Sequence, residues 1–290
     1  MKFSVCIPTY NRAHLISKPL ESLIAQSFKD FEVIVVDDGS VDDTESVVNA
    51  YSDKLNINYI KKTNGGKHTA LNYGISNSHG ELFIILDSDD EFLPDTLSRL
   101  NDLWIRHSEE GYCGIMGRCT SNGELIGKPF NDSIKAMSYV EFHFGKNGGK
   151  YIDCCECLRL DLLSRYRWPE NLGTKFIPEN YVMDKLGLKS KLLLTNEIIQ
   201  NKNYQQTDGI TLNNQLFIQK NLLGYLFNAC SKVQDILPYA NKGEITFKNK
   251  LVIWMNYWRF EKMDTAKRGV RVSHITPLGI IAKLLLYIKG

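Results

Sequence analysis

The feature that most narrows what this chain can fold into is an unbroken apolar run, Leu82-Phe83-Ile84-Ile85-Leu86, that stops abruptly at Asp87-Ser88-Asp89-Asp90. A run without polar alternation needs cover on both faces, as a strand inside a parallel sheet has. Carboxylates crowded at its tip repel one another, so that tip needs a compensating partner. A hard divalent cation, Mg²⁺ or Mn²⁺, supplies one through oxygen ligands and can share its other ligand positions with a diphosphate. In isolation the same residues also suit a solvated turn that caps the helix beyond Pro94.

The residues before this run repeat the pattern. Phe3 to Ile7 is a short apolar run ended by Pro8, and Phe31 to Val36 is a second, broken by Asp37-Asp38-Gly39-Ser40. Ile57 to Ile60 is a third, followed by Asn64-Gly65-Gly66 and a helix from about His68 to Ser78. Between them Ile16, Leu20, Leu23 and Ile24 recur at helical spacing, with Pro19 either kinking that helix or marking where it becomes regular. Asp42 or Asp43 can cap a helix carrying Val47 and Val48. Pro94 opens a helix with Leu97, Leu100, Leu103 and Trp104 on one face.

Strand–helix alternation at this pitch implies βαβ crossovers and an α/β fold with a Rossmann-like, mostly parallel sheet and flanking helices. Ligands of such sheets bind beyond the carboxyl ends of the strands. Thr9-Tyr10-Asn11, Asp37-Asp38-Gly39-Ser40, Thr63-Asn64-Gly65-Gly66-Lys67 and Asp87-Ser88-Asp89-Asp90 are therefore expected along one rim. Beyond Tyr112 the pattern loosens: a strand over Tyr112–Cys119, a hairpin turn at Ser121-Asn122-Gly123 and a strand-like run over Tyr151–Leu158. The rest reads as helices at Leu216–Leu226, Phe247–Phe260 and Leu278–Ile288, which makes residues 211–290 a helical C-terminal extension to a sheet-bearing region over 1–210.

Composition bounds the function. The 290 residues are 43% apolar and 23% charged, enough for one large domain with an appendage, and the net charge of +2 gives no whole-chain attraction to nucleic acid. The seven cysteines show no second pair at zinc spacing, and Cys154, Cys155 and Cys157 in a strand-like run suit core packing. The chain opens with Met1-Lys2 and runs straight into a strand, without a secretory signal, so reduced thiols in a cytoplasm are expected. No segment reaches the roughly 18–20 uninterrupted apolar residues of a membrane span.

Several residues have the chemistry to hold a ligand. A carboxylate in Asp37-Asp38 can accept a uracil ring N–H or a ribose hydroxyl, or cap a helix. Asn64-Gly65-Gly66-Lys67-His68 offers a tight loop and a cation before a helix, suited to a phosphate or a nucleobase, although a solvated Lys67 and a plain polar His68 fit it too. It is no P-loop, since Lys61 stands where a glycine is needed and His68 replaces the Ser or Thr after the lysine. GxGxxG is absent, which weakens a dinucleotide reading.

Ser4-Val5-Cys6-Ile7-Pro8-Thr9-Tyr10-Asn11-Arg12, Val33-Ile34-Val35-Val36-Asp37-Asp38-Gly39-Ser40, and Leu86-Asp87-Ser88-Asp89-Asp90 with Pro94 behind, in this order and spacing, strongly resemble glycosyltransferase family 2 over residues 1 to about 110. The resemblance implies a GT-A fold, a nucleoside-diphosphate sugar donor, usually UDP-linked, and inversion at the anomeric carbon. It implies donor contacts from Pro8, Thr9, Tyr10, Asp38, Lys67, Asp87, Ser88 and Asp89, and a divalent metal, Mn²⁺ or Mg²⁺, at Asp87, Asp89 and Asp90. Residues 1–110 would form the nucleotide-sugar half and 111–210 the acceptor half. An inverting transferase needs a base to deprotonate the acceptor hydroxyl. In this family the base comes from an acidic motif in the second half, and Pro178-Glu179-Asn180 is the best match here, although Asn180 stands where an aspartate is often found. Glu179 is therefore the expected base, with Asp153 and Asp184 as rivals and Asp153 expected to face the acceptor.

The expected acceptor is a hydroxyl of a glycan or lipid-linked glycan in bacterial surface-polysaccharide synthesis, and the expected transfer is hexosyl or N-acetylhexosaminyl. Trp254, Tyr257, Trp258 and Phe260 cluster beside Arg259, Lys262, Lys267, Arg268 and Arg271, against Glu261 and Asp264. With the short apolar Leu278–Ile288 this suits peripheral contact with the inner face of a membrane, or equally a helix packed on the catalytic domain. A nucleotidyltransferase would also use strand-end aspartates, but Pro8-Thr9-Tyr10-Asn11-Arg12 lacks the glycines that it needs after the first strand. A degenerate transferase kept as a glycan-binding partner is the non-enzymatic alternative; Asn180 allows it and the intact acidic run disfavours it.

Overall fold

The computed structural model describes residues 1–146, 153–204, 214–240, 243–266 and 268–289. The first half alternates as its apolar runs dictate: β1 (Phe3–Thr9), α1 (Ser17–Ile24), β2 (Phe31–Asp37), α2 (Thr44–Asn49), β3 (Ile57–Lys61), α3 (Lys67–Ser76), β4 (Leu82–Ile85), β5 (Glu91–Phe92) and α4 (Thr96–His107). The second half adds β6 (Gly114–Ser121), β7 (Glu124–Leu125), β8 (Ala136–Met137), α5 (Tyr139–Phe144), β9 (Cys155–Arg159), α6 (Leu160–Leu163), α7 (Asn180–Gly187) and β10 (Leu192–Asn201). Helices α8 (Asn214–Lys220), α9 (Leu222–Ser231), α10 (Phe247–Met263) and α11 (Pro277–Lys289) follow, with a π-helical turn over Lys232–Ile236.

All strands join one ten-stranded sheet in the order β3-β2-β1-β4-β9-β6-β10-β5, with β7 on β6 and β8 on β10. Strands β3, β2, β1 and β4 are mutually parallel. Both faces of β2, β1 and β4 are covered, which is why these strands read as apolar runs, while β3 at the sheet edge is partly exposed. Val5, Ile7, Val33 and Val35 pack with Leu20, Val48, Leu97 and Trp104 from α1, α2 and α4. Cys6, Ile34 and Val36 pack with Ala70 and Leu71 of α3 and Val182 of α7 on the other side. Pro8 does not end β1, because it lies opposite Val36 and the strand runs on to Thr9. Pro19 leaves α1 intact, because it falls in the first turn, where a missing N–H has no intrahelical acceptor anyway.

Beyond β4 the sheet is mixed, which the periodicity did not foretell. Strand β9 runs antiparallel to both β4 and β6. Its start therefore lies at the carboxyl end of β4, and Asp153 is carried to the rim where Asp87 emerges. Strand β10 runs parallel to β6, so Lys202, just past its end, reaches the same rim. The Asn122-Gly123 turn joins β6 to β7 with both residues at positive φ, as a tight hairpin requires. Tyr151 and Ile152 of the expected strand-like run, Lys267 of the basic cluster and the expected boundary between 210 and 211 lie outside the described residues. The seven cysteines are free and buried; Cys155 and Cys157 pack on one face of the sheet and Cys154 on the other.

The C-terminal helices build a further cluster from Leu226, Ile253, Trp254, Tyr257, Trp258 and Ala282, which also takes in Val140 of α5. Three of the four aromatic residues that the sequence offered to a surface are thus interior: Trp254, Tyr257 and Trp258 are buried. No helix among the described residues is long and apolar enough to cross a membrane.

Candidate active site

The order β2-β1-β4 places a topological switch between β1 and β4, and a cleft of about 460 Å³ opens beyond the strand ends there. Pro8, Thr9, Tyr10, Asp38, Lys67, Asp87, Ser88, Asp89, Asp90, Asp153 and Glu179 all line it. Residues expected from distant parts of the chain are therefore brought to one space. Asp184 is not among them: it is buried, with its carboxylate held by His143 Nδ1 at 2.6 Å and by Lys232, which removes it as a rival base. His68 is buried in the first turn of α3 and outside the cleft lining, and burial pushes its imidazole down to about 4, so it is neutral at physiological pH.

The tips of β1 and β2 are tied together by short polar links. Ser40 Oγ accepts from the Asn11 N–H at 2.8 Å, and Asn11 Oδ1 accepts from the Val41 N–H at 2.9 Å. Asn11 takes a left-handed conformation, φ 52, which its side chain tolerates better than most. Asp37 Oδ1 accepts from the Ser40 N–H at 2.7 Å and Oδ2 from Tyr59 Oη at 2.5 Å. Asp42, rather than Asp43, meets the start of α2, accepting from the Thr44 N–H at 3.1 Å.

Asp38 shapes the neighbouring loop. Its carboxylate accepts from Lys62 Nζ at 2.6 Å, from the Gly65 N–H at 2.8 Å and from the Gly66 N–H at 2.6 Å. The glycines of this loop serve the chain's own packing. Gly66 has φ 96, and a Cβ there would lie 1.8 Å from the Lys175 carbonyl oxygen. A Cβ on Gly224 of α9 would likewise lie 1.8 Å from the Phe176 carbonyl oxygen. The segment that leads to Glu179 is thus gripped between a loop and a helix, each approaching where only glycine fits.

Glu179 stands at the N-terminal end of α7 with its backbone already helical. Trp168 Nε1 donates to the Pro178 carbonyl at 3.2 Å and steadies the preceding residue. Asn180 turns away, with Oδ1 accepting from Asn228 Nδ2 of α9 at 2.9 Å, so its substitution for aspartate leaves a helix contact rather than a cleft group. Lys67 Nζ bridges Asp87 Oδ1 at 2.5 Å and Glu179 Oε1 at 2.7 Å. Burial alone would favour the neutral amine, but Asp87 and Glu179 outweigh it and raise Lys67 above the ordinary lysine value. The acidic strand tip and the expected base are therefore joined through one ammonium.

The carboxylates of the acidic run differ in circumstance. Burial works against charge on Asp87, yet Lys67 and Lys202 hold it below the usual carboxylate range. Burial and the neighbouring Asp87 push Asp90 up to about 6. Its oxygens accept from Gln200 Nε2 at 2.6 Å and the Asn203 N–H at 2.9 Å, with Lys202 Nζ 3.9 Å away, so this geometry turns Asp90 toward the protein. Burial and Asp87 also raise Asp89, against the pull of Arg12. Among the described residues no three His, Cys, Asp or Glu side chains converge as a ready-made metal site. The donor set is nonetheless all oxygen, and a raised Asp89 on the cleft wall is relieved by a cation. It fits an ion that draws on one or two carboxylates and takes the rest of its shell from substrate phosphates and water.

Arg12, Lys202, Asn203 and Tyr204 also line the cleft and were not singled out from the sequence. Tyr204 Oη donates to Asp153, whose backbone has φ 44. Arg12 lay inside a motif already marked, so its cationic chemistry was within reach. Lys202 gave no local signal, because only the pairing of β10 with β6 carries it to the rim. Thr9 Oγ1 is buried on the cleft side of β1 without a hydrogen-bond partner among the described residues. An orphaned hydroxyl in a lined cavity is what a polar ligand satisfies.

The fold and cleft define an α/β protein with an acidic strand-end cleft at a topological switch. The pattern of glycosyl transferase family 2 matches residues 4–166, more than half of the chain, and the chain belongs to that family. It is 37% identical over 162 residues to the GalNAc(5)-diNAcBac-PP-undecaprenol beta-1,3-glucosyltransferase of Campylobacter jejuni, a match covering 52% of this chain and 50% of that protein. It is 46% identical over 94 residues to an uncharacterized glycosyltransferase of Rickettsia typhi, covering 32% of this chain and 29% of that one. The matches thus span half or less of these relatives' own length. Among solved structures, S. aureus TarS 1–349 in complex with UDP-GlcNAc superposes with a TM-score of 0.63 at 18% identity, over 99% of this chain and 89% of that one. The mannosyltransferase PcManGT from Pyrobaculum calidifontis, with GDP-Man and Mn2+, gives 0.62 at 17% identity, over 99% and 80%. These two likenesses show the fold, which is of the GT-A type.

Proposed function

We propose that this chain is an inverting, metal-dependent glycosyltransferase that moves a hexosyl or N-acetylhexosaminyl group from a nucleotide sugar, UDP-linked, to a hydroxyl of a lipid-linked glycan in bacterial surface-polysaccharide synthesis. The observation that carries the reading is the meeting of Asp38, Asp89 and Glu179 in one cleft whose Thr9 hydroxyl has no hydrogen-bond partner among the described residues. The donor complexes of TarS and PcManGT and the glucosyltransferase name of the Campylobacter protein support a nucleotide sugar and a glycan acceptor. On this reading residues 1–210 are the catalytic domain, with its donor half over 1–110 and its acceptor half over 111–210, and residues 211–290 are the extension. Work on a lipid-linked acceptor places the protein at the cytoplasmic face of the membrane.

In this reading Pro8, Thr9, Tyr10 and Asp38 border the nucleoside, while Ser88 and Asp89 border the ribose and diphosphate. A bound Mn²⁺ or Mg²⁺ held by Asp89, with Asp87 beside it, would neutralise charge on the leaving diphosphate. Lys67, Arg12 and Lys202 add fixed positive charge to the same cleft. Glu179 takes the acceptor hydroxyl's proton as that oxygen attacks the anomeric carbon, on the face opposite the departing nucleotide. Lys67 Nζ, 2.7 Å from Glu179 Oε1, fixes the position of that side chain in the cleft. Asp153, on the cleft's far side beside Tyr204, orients the acceptor.

A thermal-shift panel of UDP, GDP, ADP and NAD with Mn²⁺ tests the donor class. Stabilisation by UDP is expected, and Asp89→Ala is expected to weaken metal-dependent UDP binding about tenfold or more while the fold persists. Wild-type affinity in that variant would sink the role given to Asp89.

A further inference from the structure

Helix α11 packs with the wrong face outward for a water-soluble surface. The closest contacts of its inner side are small groups: Ala282 is buried, and Gly279 sits so close to Trp254 that a Cβ would lie 2.9 Å from the indole. Trp258 Nε1 donates to the Gly279 carbonyl at 2.9 Å and pins the helix to α10. Leu278 and Leu286 are partly buried against the same core, and the other large apolar side chains lie outside this contact. Ile280, Ile281, Leu284, Leu285, Tyr287 and Ile288 are exposed, Leu284 at 59% and Ile288 at 80%. They follow an i, i+1, i+4, i+5, i+7, i+8 spacing and so form one continuous stripe. Scattered exposed apolar residues are ordinary, but a contiguous stripe on a helix marks a contact surface.

We propose that this stripe is a docking surface for an anionic lipid membrane, in which α11 lies flat in the headgroup boundary. Its charge setting selects this occupant. Residues 246–290 carry nine lysines and arginines against Glu261 and Asp264 alone, in a chain whose whole net charge is +2. Asp264 is itself buried and paired with Arg268 at 2.8 Å. Lys262 lies over the Tyr287 ring at 5.3 Å and Lys283 over the Trp258 ring at 4.2 Å, so cations border the apolar stripe. A second copy of the chain docking face to face would bring the same cations against each other. Anionic headgroups meet them with opposite charge while the acyl boundary takes the apolar side chains. The 13 residues of α11 reach about 20 Å at 1.5 Å per residue, long enough to lay its apolar stripe along a headgroup boundary.

The proposal extends the reading of a lipid-linked acceptor, but its evidence is the surface of α11 and not the cleft. The test is co-sedimentation of the full chain with vesicles of phosphatidylcholine alone and of phosphatidylcholine mixed with phosphatidylglycerol. Binding to the mixed vesicles, weakened by salt, is expected. The double variant Leu284→Asp with Ile288→Asp is expected to lose about tenfold or more of that binding. Both sites are exposed, so circular dichroism and UDP binding should match the wild type, which separates failure of the surface from failure of the cleft. Arg259→Gln with Lys262→Gln is expected to lower the preference for anionic over neutral vesicles. Three outcomes overturn the proposal: no binding by the wild type, undiminished binding by the double aspartate variant, or a wild-type dimer in light scattering that this variant turns into a monomer.

Discussion

The two walls of the cleft are built differently. The wall from β1, β2 and β4 is fastened in good part by backbone donors: Asp38 by the Gly65 and Gly66 N–H groups beside Lys62 Nζ, and Asp37 by the Ser40 N–H beside Tyr59 Oη. The opposite wall, Glu179, Asp153, Lys202 and Tyr204, comes from separate segments and is held by side-chain contacts, Lys67 to Glu179 and Tyr204 to Asp153. Backbone donors are fixed once the loop folds, whereas an ion pair between side chains can be exchanged for a substrate group. The first wall is thus suited to receive the constant part of a donor. The second is suited to groups that must move a proton or change partners during turnover.

The sharpest way to break this contrast is Glu179→Gln. Removing a general base costs about 10²–10⁴-fold in rate. Transfer is therefore expected to fall by that factor while UDP affinity, which depends on the first wall, stays near wild type. Lys67 keeps Asp87 as a partner, so the fold should hold. Turnover and UDP titration on the same preparation check this. Normal turnover would shift the base to Asp153 and remove the distinction between the walls.

The difference between the walls also explains what the sequence disclosed. Carboxylates at the ends of apolar runs were legible because βαβ order alone dictates that parallel strands end on one rim. The motifs around Asp38 and Asp87 are short and contiguous. Lys202 and Tyr204 follow a strand whose neighbour, β6, lies more than seventy residues earlier, and no local pattern reports that pairing. The reversed β9 escaped notice for the same reason. The Asn64-Gly65-Gly66 loop was noticed but its purpose was not. Its glycines suggest a phosphate cradle in sequence, whereas the Lys175 backbone fills the space beside Gly66 and the Thr69 side chain that beside Gly65. The C-terminal aromatic residues misled in the opposite sense: Trp254 and Trp258 form a core, and the exposed apolar surface is that of α11.

The junction between the walls can be probed at Gly66. Alanine there meets both a left-handed φ of 96 and the Lys175 carbonyl oxygen at 1.8 Å. Strain and overpacking together should lower stability by about 2–4 kcal/mol in urea denaturation. Because Lys175 leads to Glu179, the surviving folded fraction should lose more in turnover than in UDP affinity. Equal losses in both would show that the walls behave as one body.

The smallest expected effect is read at Glu156, whose carboxyl lies behind Glu179 in a small buried recess with Asp87 and Lys202. Burial, and then the charge of Glu179, pushes it up to about 8, from an ordinary value near 4.5. A carboxyl with a raised folded value favours the folded state while it is protonated. That advantage is complete below the unfolded value and is lost as pH rises from about 4.5 through about 8. Glu156→Gln keeps the shape and removes the charge, so its melting temperature should exceed the wild type's by a margin that widens from pH 5 to about pH 8. If Glu179 is a source of the shift, combining this variant with Glu179→Gln should narrow the margin, because the charge that repels Glu156 is gone. A margin that does not change with pH would mean that Glu156 is ionised throughout, and that the second wall carries one more negative charge than its geometry implies.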